Sequence, residues 1–274
     1  MSSKKSNYNI QNDTKERERL DLQHTFIKHG FNGNFAAPVD QILRSGARVL
    51  DVGCGSGIWI LELAEEYPNS HFIGIDMAPV VLKDKQPDNV EFITHNVLHG
   101  LPFEDNLFDY VFARFLTGAY KKNQWKEIAI PEYTRVAKST GWVELMECDI
   151  MLKCNSKDNS KEFDLLIKAL VDLGDASNTY SNAASEVKGF LEEGNRYNNI
   201  NSLEKRLPVG PMGEKVADMG VEDFQKIWKL CKTFLIPLMQ VSEEEYDAIC
   251  ESANQYLKTI GAKWVFLRAW GQKV

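Results

Sequence analysis

A glycine-rich turn constrains this chain more than any other stretch. It lies in the run Val49-Leu50-Asp51-Val52-Gly53-Cys54-Gly55-Ser56-Gly57-Ile58, where residues 47–51 predict a buried strand and residues 58–66 predict a helix. Glycine tolerates positive φ and lets a ligand approach the main chain, while the helix N-terminus behind the turn presents free N–H groups. The turn therefore predicts a ligand site at the end of the first strand.

The spacing of the glycines and the acid before them separate two classes of cofactor. Dinucleotide sites use G-x-G-x-x-G, in which a pyrophosphate rests on the helix N-terminus. Here the spacing is G-x-G-x-G, and Ile58 stands where a dinucleotide site has its third glycine. Asp51 would repel a pyrophosphate but suits an ammonium group. The run resembles motif I of the class I S-adenosylmethionine (SAM) methyltransferases, whose cofactor has a methionine moiety, a sulfonium and a ribose but no phosphate.

Two further strand ends predict contacts to an adenosine. Residues 71–75 predict a second strand, and Asp76 follows it, 19 residues after the third glycine of the turn. In a doubly wound fold this acid lies beside the first loop and can accept both ribose hydroxyls, although NAD sites use the same device. Residues 90–94 predict a third strand, after which Asn96 can pair with the exocyclic amine of adenine while Val97 lies near the ring edge.

The fourth strand, predicted over residues 108–116, is strongly apolar, as expected at the centre of a parallel sheet. No Asn-Pro-Pro-Tyr motif follows it, the signature of enzymes that methylate exocyclic or amide nitrogens. Arg114, near its end, either reaches the carboxylate of the cofactor, shapes the substrate entrance, or is a plain surface residue. Residues 125–138 predict a helix that Pro131 kinks or divides, and residues 141–150 predict the fifth strand.

The alternation of strands and helices predicts an α/β fold with a Rossmann-like, seven-stranded, mostly parallel sheet and helices on both faces. The C-terminal half adds helices at about residues 155–196 and 214–260, which either wall the substrate entrance or simply pack on the sheet. The elements predicted there are helices at 161–173 and 183–193, a strand at 197–207, a helix ending before Pro237, a helix from the capping box at Ser242 to Gly261, and a final strand at 263–272.

The N-terminal region predicts a tail and a covering helix. Residues 1–13 are polar and predict a mobile tail, which leaves residues 14–274 as one methyltransferase domain. Residues 14–29 predict a helix stopped by Gly30. Its polar pair, Gln23 and His24, either lines a lid over the cofactor or belongs to a helix that packs on the sheet edge.

The chain resembles the fungal LaeA-like methyltransferases from about Glu16 to its C-terminus. The resemblance lies in Arg19-Leu20-Asp21-Leu22-Gln23-His24, the glycine turn with Trp59, Glu66-Tyr67-Pro68, Ile73-Gly74-Ile75-Asp76, Phe108-Asp109-Tyr110, Gly141-Trp142-Val143-Glu144, Leu207-Pro208-Val209-Gly210 and Ala269-Trp270-Gly271-Gln272-Lys273. The departures are Asn96, where many methyltransferases have Asp, and Lys138-Ser139-Thr140-Gly141, where relatives usually have Lys-Pro-Gly-Gly. That family includes regulators of secondary metabolism and small-molecule methyltransferases, so the resemblance implies the cofactor more than the target.

Composition excludes several other classes. The net charge is −7 with scattered lysines and arginines, which disfavours a nucleic-acid partner. The five cysteines lack C-x-x-C spacing and the five histidines lack metal-ligand spacing, so we expect reduced thiols and no metal. No apolar run approaches the roughly 20 residues that span a bilayer, and there is no signal-like N-terminus. We expect a cytoplasmic, or also nuclear, protein with a small-molecule substrate.

Three functions remain open at this point. The first is a SAM-dependent methyltransferase acting on a small, apolar metabolite, a reaction that requires no catalytic base, and none is assigned. The second is a SAM-binding regulator of secondary metabolism that acts through protein partners. The third, an NAD-dependent oxidoreductase, is disfavoured by the glycine spacing and the acid before it. The predicted cofactor contacts are Gln23, His24, Asp51, Gly53, Cys54, Gly55, Gly57, Asp76, Met77, Asn96, Val97 and Arg114.

Overall fold

The computed structural model describes residues 14–78, 86–154, 160–211 and 215–274. The tail predicted at residues 1–13 lies outside the described residues, as do residues 155–159 and 214 of the predicted helical additions. One mixed β-sheet organises the described part of the chain.

Five parallel strands form the N-terminal part of the sheet, in the order β3-β2-β1-β4-β5. Their apolar, β-branched sequences suit strands that are covered on both faces. They are β1 (Arg48–Val52), β2 (His71–Asp76), β3 (Val90–Thr94), β4 (Phe108–Arg114) and β5 (Ala137–Cys148).

The remaining strands are antiparallel and complete the sheet beyond β5. They are β6 (Lys153–Cys154), β7 (Tyr197–Val209) and β8 (Ala262–Lys273). Strand β8 pairs with β5, and both β7 and the short β6 pair with β8. The predicted Rossmann-like sheet is confirmed, with the two-residue strand β6 as an addition to its seven long strands.

Helices cover both faces of the sheet. They are α1 (Thr14–Phe31), α2 (Asp40–Ser45), α3 (Ile58–Glu66), α4 (Lys122–Gln124), α5 (Ile130–Val136), α6 (Lys161–Ala176), α7 (Val187–Glu192), α8 (Lys215–Met239) and α9 (Glu243–Thr259). Side chains alternate along β1, so that Val49 packs with Trp59 of α3 while Leu50 packs with Tyr133 of α5. Within the described residues, no helix combines the length and apolar character needed to cross a membrane.

The helical additions of the C-terminal half build a core of their own. Helices α6, α8 and α9 pack with α1 and β8 around large apolar side chains such as Phe163, Phe224 and Phe266. Phe26 and Ile27, in the second half of α1, are fully buried in the same cluster. That half of α1 is therefore part of the core rather than a movable cover.

Several helix boundaries differ from the prediction for identifiable reasons. The predicted kink at Pro131 is found as a π-helical turn at Trp125–Ala129 followed by α5, with the proline in its first turn. Helix α8, expected to end before Pro237, continues to Met239. A proline this close to a helix end removes one hydrogen bond only, and Ile236 and Met239 still pack against the core. The helix predicted at 183–193 is α7 flanked by two 3₁₀ turns.

Candidate cofactor site

The strand order opens a crevice at the carboxyl ends of β1 and β4. The chain runs outward from β1 through β2 to β3, and on the other side from β4 to β5. At such a reversal the loops that follow the two central strands diverge, and this is where open α/β sheets bind ligands. The glycine turn after β1 forms one side of the crevice, and the segment 115–118 after β4 forms the other.

The glycine turn adopts the backbone that its sequence predicts. Gly53, Gly55 and Gly57 all have positive φ, at 73°, 54° and 73°. The N–H groups of Gly53 and Cys54 donate to the Ile75 carbonyl at 2.7 and 3.2 Å, which ties the turn to β2. Gly57 caps α3, whose N-terminus therefore faces the crevice.

Asp76 lies beside this turn, as the doubly wound fold predicts. Its Oδ2 accepts a hydrogen bond from Gly55 N at 3.0 Å, and its Oδ1 accepts one from Ala78 N at 2.9 Å. A carboxylate oxygen has two lone pairs, so each oxygen can still accept a ribose hydroxyl. Met77, the next residue, is 38% exposed at the same edge.

Asp51 and Arg114 bring opposite charges to the floor of the crevice. Asp51 is 2% exposed, and burial raises its pKa to about 7 despite the opposing field of Arg114. Burial also lowers the pKa of Arg114, to about 10. A buried carboxylate with this pKa gains from a cationic ligand group, because the added positive charge favours its ionised form.

A polar chain connects Arg114 to α1 and α3. Arg114 Nη2 lies 3.2 Å from His24 Nδ1, and His24 Nε2 lies 3.1 Å from Glu62 Oε2 of α3. The same carboxylate oxygen accepts hydrogen bonds from Lys28 Nζ at 2.7 Å and Asn34 Nδ2 at 3.0 Å. The His24 ring and the Lys28 ammonium hold the pKa of Glu62 near 2. Glu62 is therefore ionised at neutral pH and lies beside the His24 ring that contacts Arg114.

Helix α1 crosses the glycine turn but directs Gln23 elsewhere. A Cβ on Gly55 would stand 3.0 Å from Leu20 Cδ1, so the helix lies directly on the turn. Gln23 Nε2 instead donates to Asp223 Oδ2 of α8 at 3.1 Å, and Arg19 Nη1 donates to Asp223 Oδ1 at 3.4 Å. The structure thus brings His24 together with Arg114, while Gln23 helps to bind α1 to α8.

The remaining predicted contacts have structural partners of their own. Asn96 Oδ1 accepts from Leu98 N at 3.0 Å and caps the turn Val97–His99 at the end of β3. Val97 packs against the cluster on the α5 side of the sheet. Cys54 is buried against β2, where a Cβ on Gly74 would stand 2.9 Å from its Sγ. Burial raises the pKa of the Cys54 thiol well above its usual range, so this residue offers its backbone to a ligand.

Sequence reasoning missed one candidate contact on α1, Asp21. Its Oδ1 is buried and has no hydrogen-bond partner within the described residues. It follows Leu20, the residue that lies on the glycine turn, in the run 19–24 of which only Gln23 and His24 were predicted to line the pocket. An acid inside that run was the available signal. A buried carboxylate oxygen without a donor is costly, which favours a ligand group that donates to it.

These groups fit SAM. Asp51 and Asp21 suit an ammonium, Arg114 suits a carboxylate, and Asp76 can accept ribose hydroxyls. Each of these features comes from the charge and hydrogen-bond chemistry of the described side chains.

Comparisons with known proteins reveal the relatives of this chain. A family model described as a methyltransferase domain matches residues 43–200, more than half of the chain. The chain is 30% identical to the secondary metabolism regulator LAE1 of Cochliobolus heterostrophus over 52% of its length and 46% of the relative's. It is 27% identical to methyltransferase str3 of Strobilurus tenacellus, covering 74% of this chain and 70% of the relative. It is 24% identical to N-methyltransferase sirN of Leptosphaeria maculans, covering 98% and 95%. The chain thus spans less than half of the regulator.

Proposed function

This chain belongs to the methyltransferase-domain family with a class I fold that uses SAM, and from that premise we propose that it transfers the methyl group of SAM to a small, apolar metabolite. The observation that carries the proposal is the crevice at the ends of β1 and β4, where Gly55 N donates to Asp76 and the buried Asp51 lies at the floor. Bound SAM supplies a methyl group that its sulfonium already activates, so the chain has to bind, orient and desolvate.

The floor of the crevice would hold the two ends of the cofactor. Asp51 would bind the methionine ammonium, and Arg114 the methionine carboxylate, because their charges are complementary to these groups. Asp76 would accept the ribose hydroxyls, while Asn96 and Val97 would meet the adenine amine and ring. The backbone of the glycine turn, with Cys54 in it, and the exposed Met77 would line the path between them.

The first half of α1 would cover the bound cofactor. Leu20 lies on the glycine turn and His24 Nδ1 lies 3.2 Å from Arg114 Nη2, so residues 14–24 of α1 already span the crevice. Excluding water strengthens the electrostatic contacts inside such a site. Gln23 would contribute indirectly, by holding the helix on Asp223 of α8.

An apolar acceptor is supported by the residues that follow β4 and end β5. Phe115, Cys148 and Ile150 are partly buried, and they pack against the core formed by the helical additions. These positions lie at the carboxyl ends of the strands, where class I folds admit substrates. The similarity to str3 and sirN supports methyl transfer itself, since these relatives are named as a methyltransferase and an N-methyltransferase.

Two titrations and an activity screen test the proposal. Calorimetry should show SAM binding and no NAD binding, because the turn lacks the spacing that a pyrophosphate requires. Conversion of SAM to S-adenosylhomocysteine (SAH) is then measured with a panel of small amines, phenols, carboxylic acids and thiols. Binding of NAD but not SAM would contradict the proposal. Turnover with one chemical class of acceptor would identify the acceptor atom.

The similarity to LAE1 favours a second candidate, a SAM-binding regulator that acts through protein partners. Under this alternative the protein binds SAM, converts none of the panel, and forms a complex with another protein whose stability changes with SAM. Turnover of any small acceptor at a rate well above the acceptor-free control would favour the methyltransferase over the regulator.

A further inference from the structure

The segment that follows β4 faces the glycine turn and has an uncommon backbone. Phe115 has φ = 55°, a left-handed conformation that residues other than glycine rarely adopt. Such conformations persist where the surrounding structure enforces them, and they occur often at ligand sites. The next residue, Leu116, fills the space beside Gly53, since a Cβ on that glycine would collide with its side chain. The segment and the glycine turn therefore fix each other's positions.

One buried carboxylate at the end of β5 holds this segment. Glu147 is 2% exposed, and its Oε1 accepts a hydrogen bond from Leu116 N at 2.7 Å. Its Oε2 accepts one from Thr117 Oγ1, also at 2.7 Å. The carbonyl of the neighbouring Met146 accepts from Phe115 N at 3.0 Å. Three consecutive residues of the segment are thus bound to the end of β5, two of them through Glu147.

We propose that Glu147 is a positioning residue for methyl transfer. It holds in place the wall of the crevice where the acceptor meets the bound cofactor. Glu147 acts through Leu116 and Thr117 rather than on the reactants, because it is only 2% exposed and its two oxygens bind these residues. The inference rests on the proposed function, since it assigns the segment after β4 to the methyl end of SAM.

A second buried glutamate on β5 provides a matched control. Glu144 is fully buried and accepts hydrogen bonds from the N–H groups of Ala36 and Ala37, at 2.9 and 2.7 Å from its Oε2. Side chains alternate along a strand, so Glu144 lies on the opposite face of the sheet from Glu147. Replacing either glutamate removes a buried carboxylate and frees backbone N–H groups, but only the Glu147 change releases the segment after β4.

SAM and SAH together test the inference without a known acceptor, because they differ only in the transferred methyl group and its charge. Their Kd values are measured by calorimetry for wild type, Glu147→Ala, Glu147→Gln and Glu144→Ala. We expect Glu147→Ala to weaken the binding of both ligands unequally. The factor by which Kd rises should be at least five times larger for SAM than for SAH. Glu147→Gln should keep the SAM-to-SAH ratio within twofold of wild type, because its amide can accept from Leu116 N and donate to the Thr117 hydroxyl. Glu144→Ala should leave the ratio unchanged.

If Glu147→Ala weakens the binding of SAM and of SAH by the same factor, or weakens neither, the inference is overturned and Glu147 has a role in folding only. If that variant does not fold, Thr117→Val removes one of the two donors and should shift the same ratio by about threefold, whereas a ratio within twofold of wild type would again overturn the inference. Wild-type protein that binds neither SAM nor SAH would refute the proposed function itself, so the two failures are distinguishable.

Discussion

The floor and the roof of the candidate site are built in different ways. The floor, which is the turn at residues 51–57 with Asp76, depends on backbone conformation and on the Gly55 N–H bond to that acid. The roof, which is residues 14–24 of α1, is held by side chains. Arg19 and Gln23 bind the fully buried Asp223, and His24 contacts Arg114.

This difference indicates which changes abolish ligand binding and which only weaken it. A turn with several positive-φ glycines cannot adapt to a side chain. A buried ion pair stabilises a contact only while both partners are present, and removing one of them loosens the contact. We therefore expect the largest effects in the floor and graded effects in the roof.

The largest expected effect is loss of SAM binding in Gly55→Arg and in Asp76→Ala. The arginine would meet Leu20 and require a positive φ, and the alanine removes the acceptor for Gly55 N and for the ribose. A lost hydrogen bond of this kind costs roughly 1–3 kcal/mol, and the blocked turn costs more. In calorimetry we expect Kd for SAM to rise more than a hundredfold in Gly55→Arg and at least tenfold in Asp76→Ala.

The control for these variants is Gly189→Ala on α7, where an added Cβ meets nothing within 4 Å. That protein should bind SAM as wild type does. Far-UV circular dichroism must show that the floor variants remain folded. SAM affinity within twofold of wild type in either floor variant would remove that residue from the site.

The buried acid of the floor predicts a specific pH dependence of stability. Asp51 has a pKa of about 7 in the folded protein, against the ordinary aspartate value of 3.8, so the folded state binds more protons between these two pH values. Its contribution to the free energy of unfolding is therefore present below about pH 4 and is lost as pH rises to about 7. With about 1.4 kcal/mol per pKa unit, the loss is at most about 4 kcal/mol.

Chemical denaturation between pH 4 and 8 checks this expectation. Asp51→Asn cannot ionise, so the stability difference between wild type and variant should shift in favour of the variant as pH rises. The same variant should bind SAM more weakly, because it lacks the charge proposed for the ammonium. A difference that stays constant across this pH range would show that Asp51 titrates as an ordinary acid.

A tenfold effect is expected in the roof. Asp223→Ala leaves Arg19 and Gln23 without this acceptor, so the first half of α1 should loosen from α8. We expect Kd for SAM to rise about tenfold and hydrogen exchange in residues 16–24 to accelerate. In wild type, SAM should slow exchange in residues 16–24, whereas the core positions Phe26 and Ile27 should be protected already.

The matched control is Glu222→Ala, one residue earlier on α8, where the exposed carboxylate pairs with Lys226. It should change neither affinity nor exchange. If Asp223→Ala loosens α1 while SAM still binds as in wild type, the helix is a scaffold element and His24 no longer belongs to the site.

The sequence predicts the floor better than the roof, for a physical reason. The strand, the glycines and the helix of the floor are neighbours in the chain, and the parallel topology brings Asp76 beside them. Arg19 and Asp223 are 204 residues apart, and no local pattern pairs them. Glu147 was missed for the same reason, since within an apolar strand only the fold reveals that it binds the segment after β4. The course of α8 through Pro237 likewise depends on tertiary packing.

The smallest expected effect separates an acid and an amide of the roof, Asp21 and Gln23, which are two residues apart in the sequence. Asp21 Oδ1 is buried without a hydrogen-bond partner among the residues described, whereas the Gln23 amide already binds Asp223. A buried acceptor without a donor destabilises the ligand-free protein, and a donating ligand group removes that cost. Asp21→Asn should therefore leave the ligand-free melting temperature unchanged or slightly higher, while Kd for SAM rises about threefold, or about 0.7 kcal/mol. Gln23→Ala should instead lower the melting temperature and weaken SAM only as far as α1 loosens. Opposite shifts of the melting temperature in the two variants, together with weaker SAM binding by Asp21→Asn, would identify Asp21 as a ligand contact. If Asp21→Asn binds SAM as wild type does, Asp21 is not a contact, and only Leu20 and His24 of the roof remain as candidates.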